Sequence, residues 1–144
     1  MENERFLTPE QEKKIVKAIR KAEKQTSGEI RVHIGFEDTS DHIAKTVELF
    51  HALGMHNTEH RNGVLIHVGA KNHNFTILGD EGINEVVPPE FWEKVKKKVL
   101  RKFRKSQYVK GLKIGIEMTG NVLKEHFPFQ DDDINELPDE ISWT

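Results

Sequence analysis

The stretch Arg61-Asn62-Gly63-Val64-Leu65-Ile66-His67-Val68, followed after a short turn by Phe75-Thr76-Ile77-Leu78-Gly79-Asp80-Glu81-Gly82, decides the fold. The first run is apolar nearly throughout, as a strand inside a covered sheet must be, and the second halts at two glycines that bracket two carboxylates. Together they read as a β-hairpin turning through Gly69 to His73 and ending in an acidic glycine turn. Glycine allows the backbone to bend tightly there, and hard oxygen ligands can converge on a cation.

Upstream, Thr8 is an N-cap, Pro9 suits the first helical position and Gln11 completes a capping box, so a helix is expected from Pro9 to Gln25. Its apolar stripe is Ile15, Ala18, Ile19 and Ala22. Thr26-Ser27-Gly28 breaks it, and Glu29 to Phe36 alternates as a strand does. Asp38, Ser40 and Asp41 are candidate caps for a second helix with Ile43, Ala44, Val47, Phe50 and Leu53 inward and Gly54 at its C-terminal stop. After the hairpin, Pro88-Pro89-Glu90 opens a third helix on which Phe91, Val95, Val99 and Phe103 recur at every fourth position. A fourth begins near Gln107 with Leu112, Ile116, Thr119 and Leu123 inward, and Gly115 marks a close backbone contact.

This order of elements predicts a small three-layer α/β/α sandwich around a mixed β-sheet with flanking helices. The crossover helix makes the first two strands parallel, and the hairpin makes the third antiparallel to the second. Glu29, Asn62, Asp80 and Glu81 then fall along one edge of the sheet, as a candidate metal site.

Composition bounds the rest. The chain has 144 residues, 35% of them hydrophobic, which suits one domain over 1–128 followed by an acidic tail over 129–144. Without cysteine there is no disulfide framework, thiolate metal site or cysteine nucleophile. No apolar run approaches a membrane span, and the polar start Met1-Glu2-Asn3-Glu4-Arg5 leads into no signal sequence, so the expectation is a cytoplasmic, soluble monomer without a membrane segment. Net charge is −2, yet Lys94 to Lys105 is basic, while Asp131, Asp132, Asp133, Glu136, Asp139 and Glu140 come without a base among them. The basic run reads as the wet face of an amphipathic helix, since no exposed aromatics interleave with it for nucleic-acid binding. Ile134, Leu137, Ile141 and Trp143 are apolar anchors by which the tail is expected to dock on that basic helix.

Four motifs in order resemble the TPM-domain family, which is named for a thylakoid-lumen phosphoprotein, a photosystem II repair protein and a worm receptor modulator. They are Thr26-Ser27-Gly28-Glu29-Ile30, Arg61 to Ile66, Leu78-Gly79-Asp80-Glu81-Gly82-Ile83, and Pro88-Pro89-Glu90-Phe91-Trp92. The resemblance spans Leu7 to His126 and implies a Rossmann-like sandwich, a Ca²⁺ or Mg²⁺ site, and an acid-phosphatase activity attributed to some members. Bacterial members commonly carry a signal peptide and a membrane segment, and many relatives have an aromatic residue where Asp80 stands.

Two functions follow. One is a metal-binding module, holding a divalent cation and recruiting or regulating a protein partner. The alternative is a weak metal-dependent phosphomonoesterase, with Asp80 and Glu29 as ligands and Arg31 or Arg61 steadying the phosphate. No serine, histidine and aspartate set is assembled by the topology, which favours the module. Asp131, Asp133 and Asn135 share the spacing that begins an EF-hand loop, but Glu136 and Ser142 stand where its glycine and last glutamate belong. His33 and His67 are expected as neighbours on adjacent strands.

Overall fold

The computed structural model describes residues 6–36, 40–130 and 137–144. Asp38 and the acidic run that includes Asp131, Asp133, Asn135 and Glu136 lie outside them. The described elements are α1 (Pro9–Glu23), β1 (Glu29–Gly35), α2 (His42–Ala52), β2 (Gly63–Gly69), β3 (Asn74–Gly79), α3 (Glu81–Asn84), α4 (Pro89–Phe103), α5 (Tyr108–His126) and β4 (Ser142–Trp143). The sheet order is β3-β2-β1-β4, with β1 parallel to both β2 and β4, and β3 antiparallel to β2.

Alternation in β1 and β2 explains the layers. Ile30, Val32 and Ile34 point with Val64, Ile66 and Val68 into one core, which α1, α4 and α5 close with Ile15, Ile19, Val95, Val99, Leu112 and Ile116. Each such side chain contributes about 1.5 to 3 kcal/mol when fully buried. On the other face Leu65 packs with Leu49 and Phe50 of α2 and with Met55. The result is the expected α/β sandwich with a mixed sheet. Gly115 fits α5 against α4, since a Cβ there would stand 3.3 Å from Val99 Cγ2.

Local signals set the boundaries. Thr8 and Gln11 form the capping box of α1, Asp41 caps α2 through the Ala44 amide, and Gly54 adopts φ +70° just beyond that helix. α1 stops at Glu23, two residues before the expected Gln25.

Two expectations fail. α2 buries Phe50 as expected but not Ile43 and Val47, which are 62% and 42% exposed, nor Ala44; Thr46 and Leu49 take the inward positions instead. The face of the sheet beneath α2 carries His33 and His67, and α2 turns Thr46 toward them to bond the His67 ring, so polar pairing overrides the apolar stripe. The end of the tail docks on β1 and α1, not on the basic helix. β4 pairs His33 with Ser142 and Ile34 with Trp143, Ile141 enters the main core, and Trp143 Nε1 donates to Glu12 Oε1 at 3.1 Å. The open edge of β1 offers unpaired backbone groups and an adjacent apolar core, which the solvated lysines of α4 do not.

Candidate functional site

Glu29, Asn62 and Asp80 do line one edge of the sheet. Glu29 pairs with Gly63 in the parallel register, and the Asp80 amide donates to the Gly63 carbonyl at 2.9 Å. All three side chains are buried, at 3%, 1% and 6% exposure. Glu81 is exposed beside them.

Arg61 organises the outer half of this edge. Its Nε donates to Asp80 Oδ2 at 2.7 Å and its Nη2 to Asp80 Oδ1 at 2.9 Å, while Nη1 reaches Glu81 Oε1 at 3.2 Å. The hydrogen bond to Asp80 leads the causes that raise the Arg61 pKa above its ordinary value. Arg61 holds φ +50°, a left-handed conformation costly for a side-chain-bearing residue, and the guanidinium fork compensates for it. Asp80 also accepts from the Glu81 amide at 2.8 Å and so caps the short helix α3.

The inner half is less satisfied. Asn62 Nδ2 reaches Ser27 Oγ at 3.4 Å, which turns the amide toward the start of β1. Its Oδ1 is buried without a hydrogen-bond partner. Next to Glu29 stands Glu23, a residue the sequence reading passed over. Glu23 Oε2 accepts from the Ile30 amide at 2.7 Å, and burial, the hydrogen bond with Asp139 and the charge of Glu29 push its carboxyl up to about 10. A glutamate in the last turn of a helix opposes the helix dipole, and that was the available signal. Asp139 also pairs with Arg20 at 3.5 Å.

The expected phosphate ligands differ in availability. Arg61 is committed to two carboxylates, whereas Arg31 is half-buried on the α2 side of β1 with its Nε lacking a partner. Among the described residues, no three His, Asp or Glu side chains stand in metal-holding geometry. The edge therefore supplies oxygen donors that are not gathered into one cluster.

At the other end of β1 and β2 a histidine cluster lies under α2. His33 and His67 have ring centroids 5.5 Å apart, and His42 stacks on His67 at 4.0 Å. The Thr46 hydroxyl donates to the His42 carbonyl at 2.7 Å and so accepts from His67 Nδ1, also at 2.7 Å, which assigns the Nδ1–H tautomer. Burial pushes His33 down to about 4 and His67 to about 3, and it lowers His42 too. These are neutral, hydroxyl-bonded imidazoles.

A mixed sheet between helical layers, with an acidic glycine turn at the strand edge, defines a small α/β domain of the TPM type. The TPM domain family profile matches residues 1–122, and the chain belongs to that family. Its structure is similar to the NMR structure of the BA42 protein from the psychrophilic bacterium Bizionia argentinensis, with a TM-score of 0.91 and 46% identity over 99% of this chain and 98% of that one. It also resembles the N-terminal domain of a P. gingivalis protein, with a TM-score of 0.69 and 19% identity over 85% of this chain and 79% of that one, a likeness of fold alone. No curated protein matches the chain. Among the described residues no helix is long and apolar enough to cross a membrane.

Proposed function

We propose that this TPM domain is a divalent-cation-binding module, with Ca²⁺ or Mg²⁺ held at the edge formed by Glu29, Asn62, Asp80 and Glu81. The observation that carries the reading is Asn62 Oδ1, a buried acceptor without a partner, on a residue whose backbone carbonyl accepts from the amide of buried Glu29. A hard cation satisfies that oxygen, with the Glu29 carboxylate as a further donor, and oxygen donors without thiolates select Ca²⁺ or Mg²⁺. Asp80 and Glu81 join once Arg61 releases them. Binding is thereby coupled to movement of the Arg61 loop, which gives a protein partner a surface that differs between the two states.

Turnover is the weaker reading, because no aligned nucleophile accompanies the carboxylates. The test is a titration with Ca²⁺ and Mg²⁺ followed by amide chemical shifts. Shifts should centre on residues 28–30, 61–63 and 79–82, and Asn62→Leu should weaken them. Saturable shifts confined to other segments, the acidic run 131–136 included, would sink the proposal.

A further inference from the structure

Charge is distributed very unevenly along the chain. Segments 9–24, 89–105 and 108–126, which comprise α1, α4 and α5 with the basic residues that directly follow α1 and α4, hold seventeen of the chain's 22 lysines and arginines but seven of its 24 carboxylates. The helical layer thus has a surplus of ten positive charges and the rest of the chain a surplus of twelve negative ones, a separation that the net charge of −2 conceals. α5 contacts both α1 and α4, so the three helices form one broad layer. Lys13, Lys14, Lys17, Lys21, Lys97 and Lys98 are exposed on it. Among the described residues, Arg20 is the one lysine or arginine of the layer paired with a carboxylate. Lys14, Lys17 and Lys21 face Lys113 across a groove of about 660 Å³, where four lysines outnumber the single carboxylate of Glu117.

We propose that this helical layer docks on an anionic lipid bilayer, with the lysine-rimmed groove between α1 and α5 seating phosphate headgroups. Charge complementarity supplies the attraction, and shape narrows the partner. Helices lying side by side present a plane, whereas duplex readers project one element into a groove. The large exposed apolar residues Phe36, Ile43, Val47, Val86 and Phe129 all lie outside the three helices. The layer therefore has neither the aromatics that stack on single strands nor the apolar centre of a stable protein interface. Fourteen of its seventeen cations are lysines, hydrated point charges that suit a diffuse anionic surface better than bidentate recognition. The inference is independent of the cation edge.

Sedimentation with vesicles tests it, using phosphatidylcholine alone and phosphatidylcholine with about 30% phosphatidylglycerol at low and high salt. The protein should pellet with the anionic vesicles, remain in solution with the neutral ones, and be released as salt screens the attraction. Lys14→Glu/Lys17→Glu/Lys21→Glu should reduce the partition coefficient at least about tenfold, and Lys97→Glu/Lys98→Glu should reduce it as well, while Lys45→Glu on α2 should not. Amide spectra establish that each variant is folded. Absence of binding at low salt, equal binding to neutral vesicles, or tighter binding to duplex DNA or polyglutamate at matched charge would overturn the proposal.

Discussion

His33 Nδ1 lies 2.7 Å from the hydroxyl of Ser142, and the same ring reaches Thr144 Oγ1 at 3.1 Å through Nε2. One buried imidazole thus fastens β4, the last strand in the chain, onto the first. Hydroxyls can turn to suit either tautomer, so what opposes protonation here is burial, with Arg31 and Lys45 adding to it and Lys96 acting on the neighbouring His42.

The first prediction is a stability maximum near pH 6.5. His33 and His67 have folded pKa values of about 4 and about 3, below the ordinary 6.5, so as pH falls through this window the unfolded chain takes up protons that the folded chain refuses. Their stabilising contribution is complete above pH 6.5 and is lost toward acid, on the order of a few kcal/mol for the pair. Glu23 acts in the opposite sense. Its folded pKa of about 10 exceeds 4.5, so its contribution is full in acid and is lost as pH rises toward 10. Thermal melts from acid to alkaline pH should show both limbs, with Glu23→Gln flattening the alkaline one. A melting temperature that climbs steadily into alkali, unchanged by that substitution, would count against this picture.

The second prediction concerns the terminal strand. Ile141 is in the core, so Ile141→Ala should cost about 2 to 4 kcal/mol. Ending the chain after Glu140 should lower the melting temperature by a comparable margin, and high salt should not erase the difference. Salt screens only surface pairs such as Arg20 with Asp139, which contribute up to about 1 kcal/mol. If the shortened chain melts like the full one in high salt, the anchoring is electrostatic.

The sheet and its acidic edge were legible because period-two alternation in Glu29 to Gly35, the apolar run Val64 to Val68 and the Gly79 to Gly82 turn are local signals. Capping residues likewise marked where α1 and α2 begin. What the sequence concealed was non-local. The orientation of α2 depends on Thr46 meeting His67, twenty-one residues away, and apolar spacing alone pointed Ile43 and Val47 inward. The pairing of Arg61 with Asp80 was equally hidden, since either charge could as well have faced water or a ligand. β4 has two residues, too few for any periodicity to register.

The third prediction sets two glycines against each other. A Cβ on Gly82 would run into the carbonyl oxygens of His60 and Arg61, which are backbone atoms of the loop that carries the Arg61 clamp. Gly82→Ala should therefore cost about 2 kcal/mol or more and displace the Asp80 to Arg61 pair, visible as amide shifts at both positions. A Cβ on Gly115 would meet a flexible Val99 methyl at 3.3 Å, and alanine gains about 1 kcal/mol of helix propensity over glycine. Gly115→Ala should thus be close to neutral. Comparable losses at the two sites would mean that α5 and α4 are more rigidly interlocked than their contact suggests.

The last prediction is that phosphomonoester hydrolysis stays near background with or without Ca²⁺ or Mg²⁺. Phosphoryl transfer needs a cationic clamp free to meet the phosphate and a nucleophile aligned with it. Without a cation at the edge, the fork of Arg61 grips Asp80 with two hydrogen bonds and Glu81 with a third, so a phosphate must displace both carboxylates to reach it. Asp80→Asn removes the charge that holds the fork, and inorganic phosphate should then bind several-fold more tightly than to the unaltered chain, as read from shifts at residues 61–63. Hydrolysis should remain at background in both proteins, because freeing a clamp supplies no nucleophile. Robust metal-dependent turnover by the unaltered chain, abolished by Asp80→Ala, would reverse the assignment and make the edge a catalytic centre.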